Sequence, residues 1–293
     1  MTASGLCLAV ALAAQVFRSQ TDAIEISASV RNGNAPVAGL AAGDFRLTDN
    51  GVPQSIQLLT VEAVPIDVTL FIDTSGSTAG ALDRMKRDAR AIAAMLRPAD
   101  RYRVLTIGVS VDEAVPWQGP GADVALDAKA TPGISLIYDA LTAALLHPVE
   151  TGRRHLVVAL TDGQDCGSVV DGPALLELTG RTEAVMHVIY SHSPGSFGPN
   201  GVAAWCTPYD GGDVDYVKRA AERTGGGMHF TIFGFGAPAV RAFGRILDEF
   251  RASYVLRYTV RGVARPGWHA VKVAVPGMRD VTIHARSGYF IPR

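Results

Sequence analysis

The sequence lacks several features that would assign it to a particular class of protein. Its formal net charge is only -1, so the charge balance gives no indication of nucleic-acid binding. It contains no run of about 18 apolar residues, the length that suggests a membrane-spanning helix. It shows no internal repeat, which argues against a repeat architecture. The 293 residues, 48% hydrophobic and 19% charged, have the composition of an ordinary globular protein with one large domain or two smaller ones.

Motifs of common enzyme classes are also missing. The sequence contains neither Gly-x-Gly-x-x-Gly nor Gly-x-x-x-x-Gly-Lys-Ser/Thr, which argues against nucleotide binding. It contains no Gly-x-Ser-x-Gly and no His-Glu-x-x-His, and its seven histidines are scattered. We therefore expect no enzyme activity, and a hydrolase acting on the cell envelope is the least favoured interpretation.

The amino terminus has the character of an export signal. Leu6–Ala14 is a short apolar run followed by more polar residues, and Ala11-Leu12-Ala13 fits a small-residue cleavage site. Residues 1–19 are therefore predicted to be a signal peptide and the mature chain to be periplasmic or secreted, with a first buried strand or helix as the alternative. The mature chain would keep Cys166 and Cys206, which form either a disulfide or two free thiols.

The middle of the chain alternates between strand-like and helix-like segments, a pattern typical of a parallel α/β sheet. The predicted strands are Ile66–Ile72, Tyr102–Val109, His155–Leu160, Ala184–Tyr190 and Met228–Ile232. The segments between them carry apolar residues mostly three or four positions apart, which predicts helices. These are Leu82–Leu96, Leu136–Leu146, Pro173–Leu178, Val214–Thr224 and Val240–Phe250. The expected fold is α/β, with a mostly parallel central sheet flanked by helices.

Both flanks of this region are predicted to be β structure. In the first flank, Asn50-Gly51 is a hairpin turn between the runs Asp44–Thr48 and Gln54–Leu58. Each flank has about 40 residues, too few to hold a hydrophobic core alone. We therefore expect the two flanks to form one small β-sandwich. The predicted domains are 20–63 and 253–293 for the sandwich, and 64–252 for the central α/β domain.

Oxygen-bearing side chains follow two of the predicted strands and begin one of the predicted helices. Asp73-x-Ser75-x-Ser77 comes directly after the first strand, Asp162 follows another strand, and Ser135 begins a helix. Because ligands of an open parallel sheet bind outside the carboxyl ends of its strands, these side chains should lie close together. Carboxylates and hydroxyls are the hard donors that Mg²⁺, Mn²⁺ or Ca²⁺ prefer. The sequence therefore predicts a divalent-metal site, and the alternative is a set of turn and cap residues at a metal-free sheet edge.

This pattern resembles the metal-ion-dependent adhesion site of von Willebrand factor A (vWA) domains, whose consensus is Asp-x-Ser-x-Ser, a threonine and an aspartate. The chain departs from it once, because Ser135 stands where the family usually has threonine. The resemblance implies a Rossmann-like vWA fold in which hydroxyls bind the metal directly and aspartates act largely through water. It also implies that an acidic side chain of a protein partner completes the coordination of the metal.

Segments outside the metal motif resemble a bacterial group of exported proteins with vWA-related domains, common in Acidobacteria. They are Val37–Leu40, Asp44-Phe45, Asp49–Gln54, Gly152–Arg154 and Ala285–Phe290, so the resemblance spans nearly the whole mature chain. The expected function is metal-dependent, adhesion-type protein binding. A metal-independent scaffold of the cell envelope is the alternative.

Three further features near the predicted site have open roles. Asp139 is expected to hydrogen-bond loop backbone rather than a metal. Asp165 is either an outer carboxylate of the site or a solvated loop residue, and the second is favoured. The long loop Ser191–Gly212, with Trp205 and Tyr209, either shapes the partner surface or is a variable insertion.

Overall fold

The computed structural model describes residues 23–33, 35–59, 64–122, 126–131, 135–191, 213–231, 234–264 and 266–292. The strands are β1 (Ala23–Asn32), β2 (Ala35–Pro36), β3 (Arg46–Asp49), β4 (Val52–Gln54), β5 (Ile56–Leu59), β6 (Ile66–Asp73), β7 (Arg101–Ile107), β8 (Val111–Gln118), β9 (Arg154–Thr161), β10 (Val185–Tyr190), β11 (Gly227–Phe230), β12 (Tyr254–Thr259), β13 (Gly267–Ala274), β14 (Val281–Ala285) and β15 (Gly288–Ile291). The helices are α1 (Leu82–Ala93), α2 (Ile137–Leu145), α3 (Gly172–Leu178), α4 (Asp213–Thr224) and α5 (Ala237–Ala252). No helix among these residues is long and apolar enough to cross a membrane.

Six strands form a central sheet in the order β11-β10-β9-β6-β7-β8. The first five are parallel, and β8 runs antiparallel to β7 at the edge. All eight residues of β6 are buried, as expected of a strand covered on both faces. Helices α1 and α5 pack on one face, and α2, α3 and α4 pack on the other. The carboxyl ends of the parallel strands therefore share one edge, at which the predicted site residues follow β6 and β9.

The prediction of a mostly parallel sheet flanked by helices is confirmed. The five predicted strands correspond to β6, β7, β9, β10 and β11, and the five predicted helices correspond to α1–α5. The sequence did not predict β8. This strand contains Pro116 and charged residues, and its pairing with β7 shifts register between Tyr102 and Leu105. Proline is tolerated on an edge strand, where one side of the ladder is unpaired.

The two flanks form two antiparallel sheets, and each sheet combines strands from both ends of the described chain. One has the order β14-β1-β12-β5, with β2 beside β1, and the other has the order β15-β13-β3-β4. Their apolar side chains join in one buried cluster that includes Ile26, Phe45, Leu256 and Tyr258. The shared cluster is what a β-sandwich requires, although the sandwich and the domain boundaries themselves stay predictions.

The Asn50-Gly51 turn joins different strands from those predicted. Both residues have positive φ, 46° and 82°, as a type I′ hairpin turn requires. The turn connects β3 to β4, whereas the segment expected to complete the hairpin continues as β5. Strand β5 pairs instead with β12 in the other sheet. The chain therefore changes sheets within the predicted hairpin.

Buried polar contacts join the antiparallel sheets to the α/β part. Arg154, the first residue of β9, donates hydrogen bonds to Ser27 Oγ of β1 at 3.2 Å and to Phe250 O of α5 at 2.8 Å. Glu249 of α5 accepts a hydrogen bond from Ser29 Oγ at 2.6 Å and forms an ion pair with Arg31 of β1. These contacts fix β1 against the carboxyl-terminal end of α5.

Candidate metal centre

Asp73 is the last residue of β6, and its carboxylate is held inside the fold. The side chain is fully buried. Its Oδ1 accepts a hydrogen bond from Ser75 N at 2.9 Å, and its Oδ2 accepts one from Thr161 Oγ1 at 2.6 Å. The first bond turns the chain sharply after the strand, and the second ties β6 to the neighbouring β9. The carboxylate is thereby fixed in one orientation at the edge of the sheet.

The two serines of the motif lie side by side in the turn that follows. Ser75 Oγ and Ser77 Oγ are 3.1 Å apart, and Ser75 is almost completely buried. Thr78 Oγ1 donates to Asp73 O at 2.8 Å and closes the turn before α1 begins. The spacing of alternate residues thus directs two hydroxyls to the same place, as the motif predicts.

Ser135 lies just before α2 and has a buried hydroxyl. Its Oγ has no hydrogen-bond partner among the described residues. Its backbone is firmly held, since Ser135 O accepts from Cys166 N at 2.8 Å and the next residue, Leu136, donates to Gly108 O at 3.2 Å. A buried hydroxyl without a partner is costly, and it is a suitable donor for a hard metal ion.

Asp162 follows the end of β9 and places a second carboxylate near Asp73. It is 3% exposed. Burial, and next the charge of Asp162, raise the pKa of Asp73 to about 6, although hydrogen bonds from Ser75 and Thr161 oppose the shift. Two buried carboxylates that repel each other are stabilised by a cation between or beside them.

The structure gathers the five predicted residues at one edge of the central sheet. Direct contacts connect Asp73, Ser75 and Ser77, the charge of Asp162 acts on Asp73, and the backbone of Ser135 is bonded to the loop after β9. No cluster of three or more His, Cys, Asp and Glu side chains in the described part of the chain could hold a metal. An ion here would therefore depend on the serine hydroxyls, and the donor set is one that fits Mg²⁺, Mn²⁺ or Ca²⁺.

Two threonines that support the site were not predicted. Thr161 Oγ1 donates a hydrogen bond to the carboxylate of Asp73, and Thr78 Oγ1 donates one to its backbone carbonyl. Thr161 directly precedes Asp162 at the end of a predicted strand, and this position was the only sequence feature that could have suggested a role in the site. Threonine is common in strands for reasons of strand propensity alone, so the sequence does not reveal that this threonine binds Asp73.

The two neighbouring aspartates bind backbone. Asp139 accepts hydrogen bonds from Val169 N at 3.0 Å and Val170 N at 2.9 Å, as expected. Asp165 Oδ1 accepts from Tyr138 N at 3.0 Å, in the first turn of α2, and also from Ser168 Oγ. The favoured prediction of a solvated loop residue is therefore wrong for Asp165, because the free N–H groups of the helix start bind its carboxylate.

The loop after β9 is also covalently constrained. Cys166 is disulfide-bonded. Cys206 and nearly all of the loop Ser191–Gly212 lie outside the described residues, so the pairing of these two cysteines stays a prediction.

The comparisons with known proteins give structural similarity only. No protein-family model matches the chain, and no curated protein matches it. A structure of proximal thread matrix protein 1 from mussel byssus, with zinc in its metal-ion-dependent adhesion site motif, is 13% identical at a TM-score of 0.51. It covers 69% of this chain, which spans about half (49%) of that protein.

Two further solved structures are similar at lower scores. The VWA domain of SpRpn10 is 14% identical at a TM-score of 0.42, and it covers 62% of this chain and 94% of that one. The manganese-loaded TRAP protein of Plasmodium vivax is 13% identical at a TM-score of 0.40, with coverage of 81% and 98%. At such identities the similarity concerns the fold and leaves the activity open. The central sheet, the loop at its carboxyl edge and the similarity to the mussel protein agree: the chain has the fold of a von Willebrand factor A domain.

Proposed function

We propose that the protein binds a divalent metal ion through Asp73, Ser75, Ser77, Ser135 and Asp162. The buried Ser135 hydroxyl, which has no hydrogen-bond partner among the described residues, carries this proposal. It belongs to the same edge of the sheet as the Asp73 carboxylate, whose pKa is raised by burial and by Asp162. Two carboxylates balance a divalent charge, and the neutral hydroxyls fill further positions without adding charge.

The ion in turn serves as the attachment point for a protein partner. An ion held by these two carboxylates and three hydroxyls, directly or through water, would leave a position for one more oxygen ligand. An aspartate or glutamate of a partner supplies that ligand and is attracted by the cation. The mussel protein holds zinc at its motif, which supports a divalent ion in general, and Mg²⁺ is the ion we propose first.

We further propose that the mature chain acts outside the cytoplasm, in the periplasm or as a secreted protein. The apolar run in residues 1–19 supports this location. The disulfide at Cys166 supports it independently, because disulfides persist in oxidising compartments. Fractionation of cells that express the full chain would test it, and recovery of the protein in the cytoplasm would contradict it.

Binding is favoured over catalysis at this site. Ser75 Oγ contacts another hydroxyl, Ser77 Oγ, and this contact supports binding rather than nucleophilic catalysis at Ser75. The second candidate function is a metal-independent scaffold, in which the two antiparallel sheets form the β-sandwich and supply the contact surface. Their shared buried cluster supports this second candidate.

Mg²⁺ titration followed by calorimetry tests metal binding in the chain from residue 20 to 293. Wild type is expected to bind one ion and Asp73→Ala to bind none. Asp248→Ala is the matched control, because Asp248 is an exposed carboxylate near the far end of α5. Loss of binding in the control, or binding retained by Asp73→Ala, would contradict the assignment.

A pull-down from envelope extract then tests the partner. A protein captured by wild type in Mg²⁺, but neither in EDTA nor by Asp73→Ala, supports a metal-bridged contact. A protein captured under all three conditions would move the function to the antiparallel sheets or loops.

A further inference from the structure

Three exposed apolar side chains lie at the same edge of the central sheet as the candidate metal centre. They are Val109, Val169 and Phe230, with 49%, 95% and 65% of their surface exposed. The described part of the chain leaves six large hydrophobic side chains exposed. Two of these three lie in the loops after β7 and β9, and Phe230 is the last residue of β11. Apolar side chains gathered around a polar centre are typical of interaction sites.

Val109 lies in the turn between β7 and β8, beside both serine-bearing loops. The preceding residue, Gly108, accepts the hydrogen bond from Leu136 N, next to Ser135. Gly108 also packs closely on the motif loop, because a Cβ at this position would lie 2.9 Å from Thr74 Oγ1. The turn thus presents Val109 between the loop of Ser75 and the start of α2.

Val169 flanks Ser135 from the other side. Its N–H donates to Asp139 Oδ2, and Asp139 lies one helical turn after Ser135. The same loop is bonded to the backbone of Ser135 through Cys166 N. The backbone of Val169 is therefore fixed although its side chain is 95% exposed, so little freedom is lost when a partner covers it.

Phe230 flanks the aspartate side of the site. Its ring packs edge-on against Tyr190, with 5.4 Å between the ring centroids. Tyr190 in turn packs on Gly163, where a Cβ would lie 3.4 Å from Cε2 of the tyrosine ring. Since Gly163 directly follows Asp162, the Tyr190–Phe230 pair forms an aromatic wall beside that carboxylate.

We infer that the protein partner presents its metal-binding aspartate or glutamate between apolar or aromatic side chains, which cover Val109, Val169 and Phe230. This inference rests on the proposed metal-bridged function. The cation attracts a carboxylate but does not distinguish one acidic segment from another. Apolar contacts around the cation supply that distinction, because they favour apolar flanks and leave polar flanks poorly solvated.

Synthetic peptides with one central aspartate test the inference directly. One set has Leu, Val and Phe flanks, and a second set of equal length and charge has Ser, Asn and Gly flanks. A third set repeats the apolar flanks around a central asparagine and measures binding that does not need the carboxylate. Each set is titrated against the chain from residue 20 to 293 in Mg²⁺ and in EDTA, and Mg²⁺ binding is measured separately.

The matched variants are Val169→Ser, Phe230→Ser and Leu146→Ser. Leu146 is 45% exposed, like Val109, but it caps the far end of α2, about 13 Å along the helix from the metal edge. All three sites are exposed, so the variants should fold and bind Mg²⁺ as wild type does. Wild type should prefer the apolar-flanked aspartate peptides about tenfold, and Val169→Ser and Phe230→Ser should each lose most of that preference. Leu146→Ser should keep it.

The outcomes separate this inference from the proposed function. Equal binding of both aspartate sets in Mg²⁺, lost in EDTA, would overturn the apolar selection and leave the metal bridge intact. Apolar-flanked peptides that bind equally well in EDTA, or with asparagine in place of aspartate, would overturn both. Mg²⁺ binding without binding of any peptide would overturn the inference and the metal-bridged contact, while the metal site itself would stand.

Discussion

At the scale of single residues, the hydroxyl of Ser135 distinguishes a binding site from a structural edge. Most buried hydroxyls have a hydrogen-bond partner, and Ser135 Oγ has none among the described residues. Thr142 Oγ1 also has none, but it lies farther along α2, away from the edge that carries the acidic residues. A residue kept at such a cost to stability is typical of a site organised for a ligand. The side chain is therefore a sensitive place to test the metal site.

Ser135→Ala should weaken Mg²⁺ binding about tenfold, because one donor is lost. In EDTA the same variant should be as stable as wild type or more stable by about 1 kcal/mol, since a buried polar atom without a partner is removed. Calorimetry and urea unfolding measure the two effects. Ser135→Thr is the control and should keep both properties, and unchanged Mg²⁺ affinity in Ser135→Ala would remove this residue from the site.

Asp162→Asn should have opposite effects on binding and stability. The substitution removes the negative charge that raises the pKa of Asp73, so that pKa should fall. A fall of one unit corresponds to about 1.4 kcal/mol of greater stability in EDTA at neutral pH. Mg²⁺ binding should be lost, as judged by calorimetry. A variant that is less stable than wild type in EDTA would show that Asp162 is mainly structural, and Asp248→Asn provides the exposed control.

The sequence predicted the donor atoms of the site but not their supports. Asp73, Ser75 and Ser77 are recognisable because residues alternate in a short motif after an apolar strand. Thr161 was not singled out, since a strand threonine has a plain structural explanation. The role of Asp165 depends on the start of α2, which is far away in sequence, so no local pattern contained it.

At the scale of elements, the end of α4 shows why a glycine is required. Gly225 has a φ of 90° and follows the last residue of the helix, where this conformation ends helices. Gly226 follows in close contact with β10, and a Cβ there would lie 1.8 Å from Met186 O. The backbone of the chain leaving α4 therefore packs directly on the strand next to β9.

Gly226→Ala should destabilise the protein by about 3 kcal/mol, because the new methyl group forces the backbone of α4 and β10 apart. Gly227→Ala is the matched control. A Cβ at Gly227 meets no atom within 4 Å, so this variant should be close to wild type. Urea unfolding in EDTA measures both, and equal stabilities would contradict the close approach.

The sequence predicted the central strands well, but it did not predict the edge strand β8 or the change of sheet between β4 and β5. Central strands such as β6 are mostly apolar because both of their faces are buried, and this signal is strong. The edge strand β8 carries Pro116 and alternates weakly, so it was missed. The change of sheet between β4 and β5 was also missed, because strand pairing over long sequence distances leaves no local pattern.

At the scale of the whole molecule, Glu249 of α5 makes polar contacts with Ser29, Arg31 and His284 of the antiparallel sheets. Burial would raise its pKa, but hydrogen bonds from His284 and Ser29 and the charge of Arg31 lower it to about 2. His187 and His229 of the central sheet lie close by, with 3.0 Å between Nδ1 of the first and Nε2 of the second. The contact between the two parts therefore contains several groups that respond to pH.

Mild acid should destabilise the protein through its buried histidines. Burial lowers the pKa of His155 and His187 to about 3 and of His229 to about 4. Because the unfolded chain binds these protons near pH 6.5, stability is complete above that pH and is lost as the pH falls toward the folded values. The slope is at most about 1.4 kcal/mol per pH unit for each histidine.

Urea unfolding between pH 7 and pH 4.5 in EDTA measures this loss. His155→Gln should reduce the slope, because one of the three groups no longer titrates. Asp73 acts in the opposite direction, since its raised pKa makes it more stabilising once protonated below about 6. Stability that rises as the pH falls would mean that the carboxylates outweigh the histidines.

The pairing of β1 with β12 and β14 has a consequence for the order of folding. Ile26 pairs with Leu256, and Val30 pairs with Ile283. The first described strand, β1, therefore cannot form these pairs until residues more than 200 positions later have been synthesised. Such distant pairing slows folding and keeps the unfinished chain open. A chain truncated at residue 253 should therefore be cut rapidly by protease within residues 23–59, while the complete chain resists. The rate of folding of the complete chain would then be limited by the synthesis and pairing of β12 and β14 rather than by the folding of the α/β part.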